Sequence, residues 1–264
     1  MKRYLKKVII CSEVGDFEVN SKEAWLYVVD QEKDLKRLKS MGLPVAAWLH
    51  EGNKDQDLSQ TAYAVEDPHA LNMDVYERVY RREKGIPWDI LETKRCLVRE
   101  MIPEDGEAFE KIYQDPEIQR YMEDFHGDKE GEAAYIREYR HHYRFYEYGV
   151  WSIILKETGE VIGRAGFLQA STTAEGMADD LPYLGYMIGT PWQGRGIAYE
   201  VCKAILDYGR EELGFEQVAL LVDKDNEASI GLADKLGFVD MGCSGQVLRK
   251  VLCLTSAICH AEGN

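Results

Sequence analysis

Three features are scarce or missing in these 264 residues, and each narrows the field. No apolar run approaches the roughly 20 residues that a membrane-spanning helix needs. The stretch Val8–Cys11, after the basic start Met1–Lys7, is far too short for a secretory signal. The six cysteines (Cys11, Cys96, Cys202, Cys243, Cys253 and Cys259) are scattered without one C-x-x-C pair. A disulfide framework and a cysteine metal site are therefore not expected. The expectation is a soluble, reduced, cytoplasmic protein whose thiols are small core residues, with no membrane association and no metal. Positive charge is also short: 32 Lys and Arg face 47 Asp and Glu, for a net charge of −15. Nucleic acid is excluded as an expected partner, because phosphate binding needs a basic face. The same balance suits a cationic partner such as an amine. The sequence leaves open whether the chain forms an oligomer.

What is present reads as two units, since the length exceeds that of one ordinary domain and no repeat or low-complexity tract intervenes. Residues 1–91 alternate strand and helix patterns: strands at Ala24–Val29, Val45–Leu49 and Ala62–Val65, helices at Gln31–Lys39 and Asp74–Lys84. Such alternation implies right-handed crossovers and a small parallel sheet. Gly85-Ile86-Pro87 breaks the pattern, and a second unit is expected over residues 92–264. There the pattern predicts strands at Arg95–Met101, Val150–Lys156, Glu160–Gln169, Pro182–Ile188, Gln217–Val222, Phe238–Cys243 and Gln246–Leu254. Helices are predicted at Ala108–Gln114, Pro116–Glu123, Glu130–Glu147, Ile197–Leu213 and Asn226–Leu236. Glu157-Thr158-Gly159 reads as a hairpin turn with glycine where φ is positive. Antiparallel strands followed by a strand–helix–strand unit make a mixed sheet in an α/β (α+β) fold.

The sharpest local signal is Gln193-Gly194-Arg195-Gly196-Ile197-Ala198, between a strand and a long amphipathic helix. Glycines there let backbone approach a ligand closely, and free N–H groups at the helix start make a diphosphate site. Arg195 adds a charge. Neither the full dinucleotide fingerprint nor a P-loop Lys-Ser/Thr is present. Further on come Asn226-Glu227-Ala228-Ser229 and Lys235-Leu236-Gly237-Phe238. With these in order, the sequence from about Thr93 to Leu254 resembles the GNAT superfamily of N-acetyltransferases. Arg99-Glu100-Met101, Trp151, Ile162–Gly166 and Gly185-Tyr186-Met187-Ile188 also look like the branch that acetylates ribosomal-protein N-termini.

The resemblance implies a GNAT fold behind a small parallel α/β accessory domain. It implies transfer of an acetyl group from acetyl-coenzyme A to a primary amine by direct attack in a ternary complex, without an acetyl-enzyme. The acceptor would be a small-molecule amine or a peptide N-terminus. Gln193 to Ala198 would hold the pyrophosphate, the backbone of Tyr186, Met187 and Ile188 the pantetheine arm, and Asn226 the arm or the strand. Many relatives place a tyrosine four residues before the glycine of the Lys-Leu-Gly-Phe stretch, as the acid for the leaving thiolate. This sequence has Ala233, and Ser229 is the substitute that the ribosomal-protein branch suggests. The usual base position is Tyr183, a poor base unless its phenol were strongly acidified. Glu123, Asp179 or Asp180 acting through water, or no protein base at all, are the alternatives. A non-catalytic acyl-coenzyme A sensor is the rival function.

Two further clusters have plain readings. Tyr135–Tyr148, with adjacent His141 and His142, lacks the i, i+4 spacing of a metal pair and reads as a helix with an aromatic face against the sheet, or else as an acceptor wall. Val28-Val29-Asp30 vaguely resembles the start of a haloacid-dehalogenase-like hydrolase, but position 32 is Glu32 where that chemistry wants aspartate. Asp30 reads more simply as a helix cap for Gln31–Lys39.

Overall fold

Runs rich in valine, isoleucine and aromatic residues gain little as isolated strands and bury their faces only by pairing and packing. In the computed structural model they pair into two separate sheets. Residues 3–11, 17–122, 127–169 and 180–255 are described. The chain divides into two compact units, Met1–Trp88 and Asp89–Asn264.

In the first unit, β1 (Lys7–Cys11), β2 (Trp25–Val29), β3 (Val45–Trp48) and β4 (Ala64–Val65) form a parallel sheet in the order β1-β2-β3-β4. Helices α1 (Glu32–Ser40) and α2 (Met73–Glu83) complete it. Tyr27, Val29, Val45 and Ala47 bury one face with Leu35 and Leu38 of α1. Leu26, Val28 and Ala46 bury the other with Tyr76, Val79 and Tyr80 of α2. Alternate strand residues thus serve opposite faces, which is why β2 reads as a continuous apolar run. Strand β1 had gone unread, because Val8–Cys11 carries too little pattern to stand alone. Asp30 is not the cap of α1: Gln31 is, and no side chain caps it. Asp30 is buried instead, 3.2 Å from His50 Nε2. Asn53 Nδ2 donates to the carbonyls of Asp30 and Trp48, at 3.0 and 2.7 Å. These bonds tie the ends of β2 and β3 together.

The second unit is built on eight strands in the order β11-β12-β10-β9-β8-β7-β6-β5. In chain order these are β5 (Asp89–Glu92), β6 (Cys96–Arg99), β7 (Val150–Leu155), β8 (Val161–Leu168), β9 (Tyr183–Ile188), β10 (Gln217–Asp223), β11 (Val239–Ser244) and β12 (Val247–Cys253). Among the described residues five helices accompany them: α3 (Gly106–Tyr113), α4 (Pro116–Gln119), α5 (Lys129–Tyr146), α6 (Ile197–Glu211) and α7 (Glu227–Leu236). Strand β5 spans the boundary expected between residues 91 and 92, and pairs antiparallel with β6. Strand β8 is buried along almost its whole length, because helices cover both of its faces. Arg164 faces α3 and α5, with Nη1 2.7 Å from Glu132 and Nη2 2.6 Å from the Tyr113 hydroxyl. Phe167, three residues on and so on the opposite face, lies where a Cβ on Gly209 of α6 would meet its ring at 2.7 Å. Glycine at 209 lets α6 sit down on that ring. Gly159 has φ +75°, as the hairpin turn requires.

Candidate active site

Among the described residues, β9 and β10 form the one parallel pair of the larger sheet, and there the sheet comes apart. On one side β9 pairs with β8 over six residues, from Tyr183–Leu168 to Ile188–Gly163. On the other it meets β10 at one bridge, Tyr183 with Ala219, beside which the Ala219 N–H donates to the Pro182 carbonyl at 2.9 Å. From Leu184 onward no ladder joins β9 to β10 among the described residues. Backbone N–H and C=O groups so exposed need other partners, and an extended ligand with amide groups could supply them.

The chain leaves the open end of β9 through the turn Thr190–Trp192 and enters α6 over two left-handed glycines, Gly194 (φ +69°) and Gly196 (φ +72°). Gly196 is the N-cap of α6, and no side chain caps the helix. Its leading N–H groups and dipole therefore face outward from an exposed loop, as an anion site requires. Neighbouring bonds hold the loop. Gln193 Nε2 donates to the Ile188 carbonyl at 2.8 Å. Arg95 Nη1 donates to the Arg195 carbonyl at 2.7 Å, and Arg95 Nε donates to Glu200 at 2.7 Å. Burial pushes the Glu200 carboxyl up, but hydrogen bonds from Thr93 and from the backbone and guanidinium of Arg95 together hold it below its ordinary value. Sequence reasoning missed Arg95 and Glu200, which are 105 positions apart and carry no local pattern. Of the expected loop residues, Gln193, Gly194, Arg195 and Gly196 are exposed, Ile197 is buried in the core and Ala198 packs against that core.

Helix α7 starts next to the opened strands. Asn226 is its N-cap, accepting from the Ser229 N–H at 3.0 Å. The Asn226 side-chain oxygen is thus engaged within its own helix. Gly237, with φ +93°, ends α7, and the Phe238 N–H returns to the Ala233 carbonyl at 3.0 Å. Ala233 is fully buried among core residues. Tyr183 is buried at the closed end of the splay, whereas Met187 and Ile188 are buried along its open half, so these two offer a ligand only their backbone. Tyr186, also on the open half, pairs with Ala165 of β8, which shares a face with Phe167, so its ring lies on the α6 side. Asp180 is exposed; Glu123 and Asp179 lie outside the described residues.

The aromatic helix is stitched to the sheet. The Tyr143 hydroxyl donates to the Val150 carbonyl, and the Val150 N–H donates to the Tyr139 hydroxyl at 3.0 Å. His142 stacks on Tyr139 with ring centroids 4.8 Å apart, and burial pushes its pKa down. Burial likewise pushes up the Cys202 thiol of α6, making it inert packing rather than a nucleophile. Among the described residues, no helix is long and apolar enough to cross a membrane.

Comparison with known proteins bears on the family and the fold. The family model described as "Acetyltransferase (GNAT) domain" matches residues 95–239. The N-acetyltransferase p20 of Bacillus licheniformis, itself uncharacterized, is 30% identical over 155 residues, covering 58% of this chain and 84% of p20. The spermidine N(1)-acetyltransferase of Escherichia coli is 40% identical over a shorter stretch of 52 residues, 20% of this chain and 28% of that enzyme. Among solved structures, a ribosomal L7/L12 alpha-N-protein acetyltransferase in complex with coenzyme A superposes with a TM-score of 0.54 at 16% identity, covering 63% of this chain and 98% of the other. That likeness is one of fold.

Proposed function

Since the chain belongs to the GNAT acetyltransferase family and is an acetyl-coenzyme A-dependent acyltransferase, we propose that it transfers acetyl to a primary amine, either a peptide N-terminus or a small cationic amine. The observation that carries this is the single bridge between β9 and β10, next to an uncapped helix entered over two left-handed glycines. A slot with unpaired backbone leading to an anion-binding helix end fits the shape and charge of a pantetheine diphosphate. Gln193 to Ala198 hold the pyrophosphate, and the backbone of Tyr186 to Ile188 holds the arm. Asn226 acts by fixing the start of α7 at the slot.

The chemistry follows from amide formation. A neutral amine attacks the thioester carbonyl carbon in a ternary complex, the carbonyl oxygen gains charge and needs a donor, and the sulfur then leaves. A backbone N–H on the unpaired side of β9 serves the oxygen. Ser229, in the first turn of α7, serves the sulfur. Tyr183 is withdrawn into the strand junction and supports structure rather than proton abstraction. The amine then enters already deprotonated, or loses its proton to water. Peptide N-termini fit the first route, because α-amino groups have pKa values of about 7.7–8.0. The acidic balance of the chain, net −15, favours cationic acceptors.

The test is release of free coenzyme A thiol from acetyl-coenzyme A in the presence of an amine panel: peptides with free N-termini, polyamines and lysine-like side chains. Turnover with one class and acetylated product by mass establish the reading. Binding of coenzyme A with no turnover on any amine would instead make the protein a sensor.

A further inference from the structure

Position 233 cannot supply the acid that many relatives place there. Ala233 is fully buried among core side chains, so a phenol at that point would displace packed atoms instead of entering the slot. A phenol is nevertheless present nearby, on a different element. Tyr186 stands three residues past the bridge at Tyr183, in the stretch where β9 has lost β10. Its cross-strand partner on β8 is Ala165, which sets its ring on the face covered by α6. Its hydroxyl is buried and, among the described residues, makes no hydrogen bond of ordinary geometry. Yet the Ser229 side chain of α7 lies close enough to act on it.

A buried hydroxyl without a partner costs stability, and a phenylalanine of the same shape would not. Retaining one beside the reaction slot needs a reason, and proton transfer supplies it. Resting on the acetyl-transfer reading above, we propose that Tyr186 is the source of the proton taken by the departing sulfur, delivered through the Ser229 hydroxyl. As the C–S bond breaks, the sulfur keeps the electron pair and takes the Ser229 proton. Ser229 takes the Tyr186 proton, and the phenolate recovers one from solvent. The surplus proton on the acetylated nitrogen leaves to water, so the sum is amine plus thioester giving amide plus thiol.

Burial pushes the Tyr186 phenol up, and Ser229 lowers it by less, so it is protonated across the neutral range as an acid must be. The other titratable group acting on it is the Cys202 thiol of α6, itself held neutral by burial. No charged side chain among the described residues contributes to its shift.

The experiment compares Tyr186→Phe, Ser229→Ala and the double variant in steady-state acetylation, with melting temperatures measured free and with coenzyme A. Tyr186→Phe should lower kcat about ten- to a hundredfold, at the low end of general-acid effects. Its melting temperature should be unchanged or higher, and its coenzyme A-induced shift intact. The double variant should be no slower than the slower single one, because both residues serve one relay. Installing 2,3,5-trifluorotyrosine at position 186 alone, a far more acidic phenol, should bring the alkaline fall in kcat down into the assayable range; a structural role would leave it in place. Wild-type turnover in Tyr186→Phe, losses that multiply in the double variant, or an alkaline limb unmoved by the fluorotyrosine would each overturn the relay. If the wild-type protein releases no thiol with any amine, the acetyl-transfer reading itself fails, and the relay with it.

Discussion

Gly196→Ala tests the anion site with a magnitude that follows from the backbone. Gly196 has φ +72°, and a Cβ there would meet only the Arg95 guanidinium, at 3.7 Å. Space is therefore open in the free protein, and the cost of alanine is conformational, about 1–2 kcal/mol for a left-handed residue. In a unit the size of Asp89–Asn264, each kcal/mol moves the melting temperature by roughly 2–4 °C, so the variant should melt about 2–8 °C lower. Coenzyme A at a hundredfold its Kd should stabilise the wild type by about 2.7 kcal/mol, or roughly 5–11 °C. If the diphosphate lies on this helix end as proposed, the methyl group of Gly196→Ala occupies its surface, and that shift should be largely lost. Gly214→Ala is the control. It carries the same backbone cost, with φ +69° and nothing within 4 Å, but lies beyond the other end of α6. A 15-residue helix is about 22 Å long, so the control should lose similar stability and keep the full shift. Thermal shift and calorimetry read both quantities. A full coenzyme A shift in Gly196→Ala would refute the placement of the diphosphate on this helix end.

Two further outcomes are expected. Glu132→Ala removes the carboxylate paired with the buried Arg164, and should cost about 3 kcal/mol, the low end for breaking a buried pair. Adding Arg164→Met should recover part of that, and urea denaturation showing a loss under about 1 kcal/mol for the single variant would contradict a paired burial. Glu200 has a lowered pKa in the folded state, so its bonds to Arg95 stabilise the protein above the unfolded value, about 4.3, and are lost as pH falls through the lower folded value. The melting-temperature advantage of wild type over Glu200→Gln should thus be full near neutrality and fade in acid; an advantage growing toward low pH would reverse the assignment.

Much of the architecture was legible because local pattern and tertiary need agree. Val150–Leu155 and Val161–Leu168 are mainly apolar, mostly buried strands around a turn that needs glycine at 159. The loop Gln193–Ala198 was legible for the same reason: its glycines are required by positive φ, a local property. Strand β5 was not, because Asp89–Glu92 has only partly buried side chains and becomes a strand by pairing with β6. Helix α4 was expected to reach Glu123 but its helical span ends at Gln119, whose side chain turns back to the Tyr113 carbonyl at 2.7 Å. Asp30 likewise looked like a cap by position and proved to be a buried tie, since its partners His50 and Asn53 come from beyond the next strand.

By itself, then, the sequence determined most of the element types, the mixed sheet following a parallel one in the chain, and the glycine turn into α6, all of which depend on neighbours within a few residues. Only the tertiary structure decided which hydroxyl faces which. That Ala233 lies in the core, that Tyr183 closes the strand junction, and that Tyr186 brings a buried phenol up to Ser229 depend on how β9 parts from β10 and where α7 lands. Those placements join residues more than thirty positions apart, and contact at that separation is set by packing, which no local periodicity records.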